Sequence, residues 1–180
     1  MLFDYVLGLQ EVDNESVNIN HREAVRAIIL HYDSILMVHS NKGDYKLPGG
    51  GVNNEESHGE ALRRELREET GYIINNVKDK VGVITERNWD KYDKDSVFEM
   101  TSHYYLCEVS DEQTLQQLDD YEAELDFRPI WIHVDEAICS NEEILKRHNN
   151  SANPWLYRET VVLNVLKASR IPKNLHAKSD

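Results

Sequence analysis

Apolar residues recur along this chain with two periods, and the switches between them mark its elements. Phe3–Leu9 alternates before the chain turns polar through Glu11–Asn20, which reads as an edge strand or as an arm for dimer contact. Ala24–Leu30 is an aliphatic strand; Asp33-Ser34 marks a turn before a second strand, Ile35–His39, so the two read as a hairpin. Asn41–Asp44 is the next loop, and Tyr45-Lys46-Leu47 leads into Pro48 and the glycines at 49 to 51.

From Ser57 to Gly71 the period lengthens to that of a helix. Ser57 followed by Glu60 is a capping-box start, and Gly71 stands where a left-handed C-terminal cap is needed. Leu62 and Leu66 fall on one flank and suit docking on a core, while Glu60, Arg63 and Arg67 fall on the side expected to meet water. Glu65, Glu68 and Glu69 share a face at i, i+3 and i+4. Like charges at this spacing cost an isolated helix ~0.2–0.5 kcal/mol per pair. A hard divalent cation such as Mg²⁺, or alternatively Mn²⁺, removes that cost through carboxylate ligation. A solvated charged helix is the plain alternative for the three acids taken alone.

Beyond this helix, Val77–Glu86 has strand character with Gly82 as a bulge, and Arg87–Ser96 reads as an exposed loop. Val97–Val109 is a long strand with Phe98, Met100, Tyr104 and Leu106 on one face and Val97, Glu99, His103 and Tyr105 on the other. Ser110–Tyr121 reads as a loop or short helical turn, and Glu122–Val134 as an extended segment in which Pro129 requires an edge or an irregularity. A short helix starts at Asp135–Ala137, Ser140 and Glu143 cap a second piece towards His148, and Asn149–Asn153 is a turn. Asn153 as N-cap with Pro154 opens a final helix, Trp155 to Arg170, and the tail after Pro172 is expected to fray. Strands, an acidic helix, more strands and a C-terminal helix define a mixed α/β (α+β) class with a sheet between helices.

The glycines at 49 to 51 change the weight of the acidic helix. Gly50, Glu56, Arg64, Glu65, Leu66, Glu68, Glu69 and Gly71 stand at the spacing Gly, five residues, Glu, seven residues, then Arg-Glu-aliphatic-x-Glu-Glu-x-Gly. This stretch closely resembles the Nudix box of Nudix hydrolases. Tyr72 departs from it, standing where an aliphatic residue is usual. The resemblance implies a Nudix α/β/α sandwich over roughly Asn20 to Arg170 and a metal held by Glu65, Glu68 and Glu69, with the Gly49 carbonyl as a further ligand. It also implies hydrolysis of a diphosphate linkage in a nucleoside diphosphate attached to another group, or in a related nucleotide. The alternative is a non-catalytic Nudix-like sensor that binds a nucleotide.

Catalytic candidates are then Glu68, Glu69, Arg64 and a late acid. Arg64 either orients the metal ligands through Glu60 or Glu68 or contacts phosphate, the first being favoured by its flank position. Glu56 suits steadying of the loop. For the general base, Glu122 and Glu124 are favoured over Glu99, since they precede Trp131 as late acids of relatives precede a comparable tryptophan. Arg22 and Arg26 are candidates for phosphate contact, and Tyr45, Trp89, Tyr92 and Tyr105 for base stacking. His103 reads as a hydrogen-bonded histidine of the partial core.

Composition narrows the remaining classes. The length of 180 residues suits a single domain, with residues 1–20 as an arm and 171–180 as a tail. A formal net charge of −13 argues against binding duplex nucleic acid but leaves open a small phosphate ligand, because bound metal inverts the local field. Cys107 and Cys139 lack a CxxC spacing and read as buried thiols, no apolar run is long enough for a membrane span, and Met1–Asp13 carries no basic residue of a signal peptide. A cytoplasmic enzyme is the resulting expectation, with homodimerisation implied at the level of the family.

Overall fold

A computed structural model describes residues 1–11, 17–93, 95–147 and 152–169. In chain order its elements are β1 (Phe3–Gly8), β2 (Asn18–Ile28), β3 (Leu30–His31), β4 (Ser34–His39), β5 (Tyr45–Lys46), α1 (His58–Thr70), β6 (Tyr72–Trp89), β7 (Ser96–Gln113), α2 (Asp120–Glu124), β8 (Arg128–His133), α3 (Val134–Lys146) and α4 (Leu156–Ser169). One sheet has the order β1-β6-β7-β2, with β1 parallel to β6, β2 parallel to β7, and β6 antiparallel to β7. The second is antiparallel, β3-β4-β5 with β8 also on β4.

Strand alternation sends successive residues into two cores. Ile28, Ile35 and Met37 pack with Leu163 and Leu166 of α4, whereas Ala27, Ile29 and Leu36 pack with Leu62 and Leu66 of α1. Helices therefore lie on both sides of the strands, as the α/β/α expectation required. Each such aliphatic side chain, fully removed from water, contributes ~1.5–3 kcal/mol before entropy is counted.

Several boundaries differ from the sequence expectation. The aliphatic Ala24–Leu30 segment is the buried end of a longer strand; β2 joins β7, and only Leu30 and His31 form the hairpin ladder with β4. The polar stretch Arg87–Ser96 is not all loop, because Arg87, Asn88 and Trp89 continue the ladder opposite Glu99, Phe98 and Val97. Backbone pairing with β7 overrides their polar composition. The irregularity expected at Gly82 is present as a register shift, and a Cβ there would enter the Phe3 ring.

Residues 120–124 are helical, so the helical-turn alternative holds for Asp120 and Tyr121, while Glu122–Glu124, expected to be extended, continue the turn. The Asp119 carboxylate accepts the Glu122 N–H and the Glu122 carboxylate accepts the Asp119 N–H, a capping box that starts α2. The extended segment begins only at Arg128. Helix α3 is continuous where two pieces were expected, and it leaves Cys139 exposed, so of the two thiols expected to be buried only Cys107 is. Asn153 does not act as a simple cap: its side chain donates to both oxygens of Asp44 and accepts from Lys42, tying α4's approach to the β4–β5 turn. His148, residues 149–151 of the expected turn, Arg170 and the tail lie outside the described residues.

Candidate active site

The glycine loop is laid along β2 by backbone pairing. Ala27 N–H donates to the Pro48 carbonyl and Val25 N–H to that of Gly50, both at 2.9 Å, and Val52 N–H donates to Glu23. Gly49 has φ +137°, and a side chain there would run into the Val25 carbonyl. At Gly50 the requirement comes from across the site: a Cβ would lie 2.2 Å from a carboxylate oxygen of Glu65. Gly50→Ala is therefore expected to push Glu65 aside and weaken divalent-cation affinity at least tenfold while the circular dichroism spectrum is unchanged. Equal calorimetric affinity in the two proteins would refute this.

Helix α1 has the caps its sequence announced. Ser57 and Glu60 bond reciprocally, and Gly71, at φ +76°, donates its N–H to the Arg67 carbonyl. Tyr72, the departure from the box pattern, packs in the α1 core, and its hydroxyl accepts the indole N–H of Trp131 at 2.8 Å. That bond explains how a tyrosine serves where an aliphatic residue is usual.

Glu65 and Glu69 project from this helix towards Glu122 of α2, with one carboxylate oxygen from each lying within 4.8 Å of the others. Glu69 is 1% exposed and accepts the Gly49 N–H at 2.8 Å and the Lys46 ammonium. Glu65 is nearly buried and bonded to Arg64 at 2.6 Å; burial pushes its pKa up. Burial, and then the neighbouring Glu69 charge, raise the Glu122 carboxyl to about 7. Three oxygen donors this close suit a hard divalent cation. The gap opposite Gly50 leaves them space, so the residues fit such an ion, with Lys46 and Arg64 balancing part of the acid charge.

Arg64 uses its planar fork fully. It donates to both oxygens of Glu56 at 2.8 and 2.7 Å, to Glu65, to Glu68 at 3.3 Å and to the Gly51 carbonyl at 2.9 Å. The expected partner Glu60 is instead engaged with Ser57. Hydrogen bonding to Arg64 holds the Glu56 carboxyl down at about 2.

The other candidates separate. Glu68 is outside the trio, with a side chain 30% exposed beside Arg64. The Gly49 carbonyl accepts from Lys46 at 3.3 Å. Glu124 is exposed: it would share a face with Glu122 in a strand, but residues two apart diverge on a helix. Glu99 pairs with Arg87 and lies 3.2 Å from His21 Nδ1.

A cleft of about 900 Å³ is lined by Arg22, Arg26, Arg158, Phe98, Met100, Trp89, Tyr92 and Trp155 among others. Trp155 connects it to the acid trio, since the Lys46 ammonium that pairs with Glu69 lies 6.0 Å from the Trp155 ring and 5.0 Å from that of Phe127. Tyr45 packs instead against His39, with the rings tilted by 31°, and the Tyr105 hydroxyl bonds His58. Sequence reasoning missed Lys46, Arg158 and Glu159. Glu159 is fully buried, accepts the Leu47 N–H ahead of the glycine loop and pairs with Arg158, which also pairs with Glu86. Their signal, an Arg-Glu dipeptide on an apolar helix, is indistinguishable in sequence from surface charge.

A NUDIX domain model matches residues 20–156. Solved structures of similar fold include the E. coli ORF135 protein (20% identity, TM-score 0.55, covering 89% of this chain and 97% of that one). A NUDIX hydrolase from Nitrosomonas europaea has 18% identity and a TM-score of 0.55, with 83% of this chain and 90% of that one covered. An ADP-ribose pyrophosphatase from Streptococcus suis has 19% identity and a TM-score of 0.53, with 83% and 92% covered. No curated protein sequence matches at a significant level. The family match spans most of the chain, including the whole glycine loop and acidic helix; the protein belongs to the Nudix family and is a Nudix-type pyrophosphohydrolase.

Proposed function

We propose that this protein hydrolyses a diphosphate linkage in a nucleoside diphosphate joined to another group, with Mg²⁺ as its ion and Mn²⁺ as a substitute. The observation that carries this reading is the convergence of Glu65, Glu69 and Glu122 beside a cleft lined by arginine and aromatic side chains. A divalent cation held by these acids would supply Lewis-acid charge for the diphosphate.

The chain's own residues divide the remaining work. Arg64, anchored on Glu56 and Gly51, fixes the orientation of Glu65 and limits where Glu68 can reach. Its engagement on the protein side favours orientation over direct contact with substrate. Glu68, open to solvent, suits hydrogen bonding to water around the acids. Glu122, the one acid of the trio supplied by a separate element, takes the proton from the attacking water at a carboxylate oxygen. Arg22 and Arg26 meet the substrate's phosphate oxygens, and Phe98 and Trp155 offer faces for a base.

The test is phosphate or nucleotide release from a panel of nucleoside diphosphate conjugates, including ADP-ribose and nucleoside diphosphate sugars, with nucleoside triphosphates for contrast. Turnover on a conjugate, dependent on Mg²⁺ and reduced at least a hundredfold in Glu69→Gln, is expected. Preferential cleavage of triphosphates would reject the substrate class, and unchanged Glu69→Gln rates at saturating Mg²⁺ would reject the site.

A further inference from the structure

A second cluster of ligating side chains lies outside the acid trio and shares no residue with it. Glu23 of β2, His58 at the start of α1 and His103 of β7 offer one ligand atom each within 4.8 Å of one another. His103 Nε2 lies 3.0 Å from Glu23 Oε1, and His58 Nε2 lies 3.8 Å from the same oxygen. The two imidazole rings are 4.5 Å apart between centroids, tilted by 33°.

We propose that Glu23, His58 and His103 form a second divalent-cation site, of the zinc class, that fastens the start of the box helix to the sheet. Two imidazole nitrogens and a carboxylate oxygen are the donor set of a borderline ion such as Zn²⁺ or Co²⁺, whereas the all-carboxylate trio suits Mg²⁺. Bonds of ~2.0–2.1 Å at tetrahedral angles place neighbouring ligand atoms roughly 3.3–3.4 Å apart, a value between the two distances observed to Glu23 Oε1.

The surroundings also resemble a supported site. The Tyr105 hydroxyl lies 2.8 Å from His58 Nδ1; with that nitrogen donating its hydrogen, the Nε2 lone pair is directed at the cluster. His103 is 8% exposed and supplies a rigid anchor, while Glu23 is partly open and leaves a solvent side for water as a fourth ligand. Ligation at His103 Nε2 moves its proton to Nδ1, which is buried with no hydrogen-bond partner among the described residues. That position lowers the affinity below that of a closed structural zinc site.

The site does not depend on the hydrolytic reading, and its test does not use activity. Tag-free protein in excess Mg²⁺ is titrated with Co²⁺, whose visible absorption is strong with nitrogen ligands in tetrahedral geometry and weak in an octahedral oxygen shell. One equivalent of the strong band is expected, displaced by Zn²⁺, retained in Glu69→Gln, and weakened at least tenfold in His58→Ala and His103→Gln. His58→Ala is the decisive variant if replacement of the buried His103 disturbs folding. A weak octahedral spectrum alone, or a strong band that survives His58→Ala, overturns the proposal.

Discussion

Glu122→Gln is expected to lower kcat by about 10²–10⁴-fold, the usual contribution of a positioned general base, and at the same time to stabilise the metal-free protein. The second effect follows from where the carboxyl sits. Burial and the Glu69 charge raise the folded pKa of Glu122 to about 7 from an ordinary value of 4.5. A raised pKa means that the folded state favours the protonated carboxyl. The associated stability is fully present below about pH 4.5 and is lost as pH rises through about 7. A glutamine at this position keeps its charge neutral across that range and can still accept the Asp119 N–H at the start of α2.

In chelator at pH 8, Glu122→Gln should therefore exceed the parent protein in stability by on the order of 1–2 kcal/mol after allowance for solvent screening. The two should converge near pH 4. Added Mg²⁺ should then narrow the gap at pH 8, because the ion stabilises the parent more. Urea unfolding at pH 4 and 8, with and without Mg²⁺, measures all three. A variant less stable than the parent at pH 8 in chelator would show that Glu122 is held ionised by its surroundings.

Lys46→Met should act in the opposite direction. Lys46 and Glu69 are 5% and 1% exposed and form a direct ion pair. Removing one partner of such a pair leaves an uncompensated buried charge, which costs about 3–5 kcal/mol. For a chain of this size each kcal/mol corresponds to a melting shift of about 2–4 °C. A loss of roughly 6–20 °C is thus expected in chelator. Mg²⁺ should recover a large part of it, because the cation supplies charge to the acid that lost its lysine. Differential scanning calorimetry in EDTA and in Mg²⁺ decides the matter; equal destabilisation under both conditions would mean that Lys46 matters for packing against Phe127 and Trp155, not for Glu69.

Local chemistry was legible in the order of residues. The spacing of Ser57, Glu60 and Gly71 specified both ends of α1, and the spacing of Glu65, Glu68 and Glu69 placed three acids on one face, because helical geometry repeats within a turn. The aliphatic runs of β2 and β4 likewise marked strands of a sheet packed between helices. These features depend on residues a few positions apart, where the backbone itself fixes their relative direction.

Tertiary structure alone decided which residues meet across elements. The Asp119–Glu122 capping box is itself local, but the packing of the short helix it starts is what sets Glu122 against Glu69 while leaving Glu124 exposed. Lys46 became the counter-charge of a residue one helix away, and Glu159 became the buried support of Leu47 from the far end of the chain. Glu23, His58 and His103, drawn from β2, α1 and β7, show no shared spacing from which their convergence could be read. Periodicity encodes which way a side chain faces within its element; the partner it then finds depends on how the elements pack.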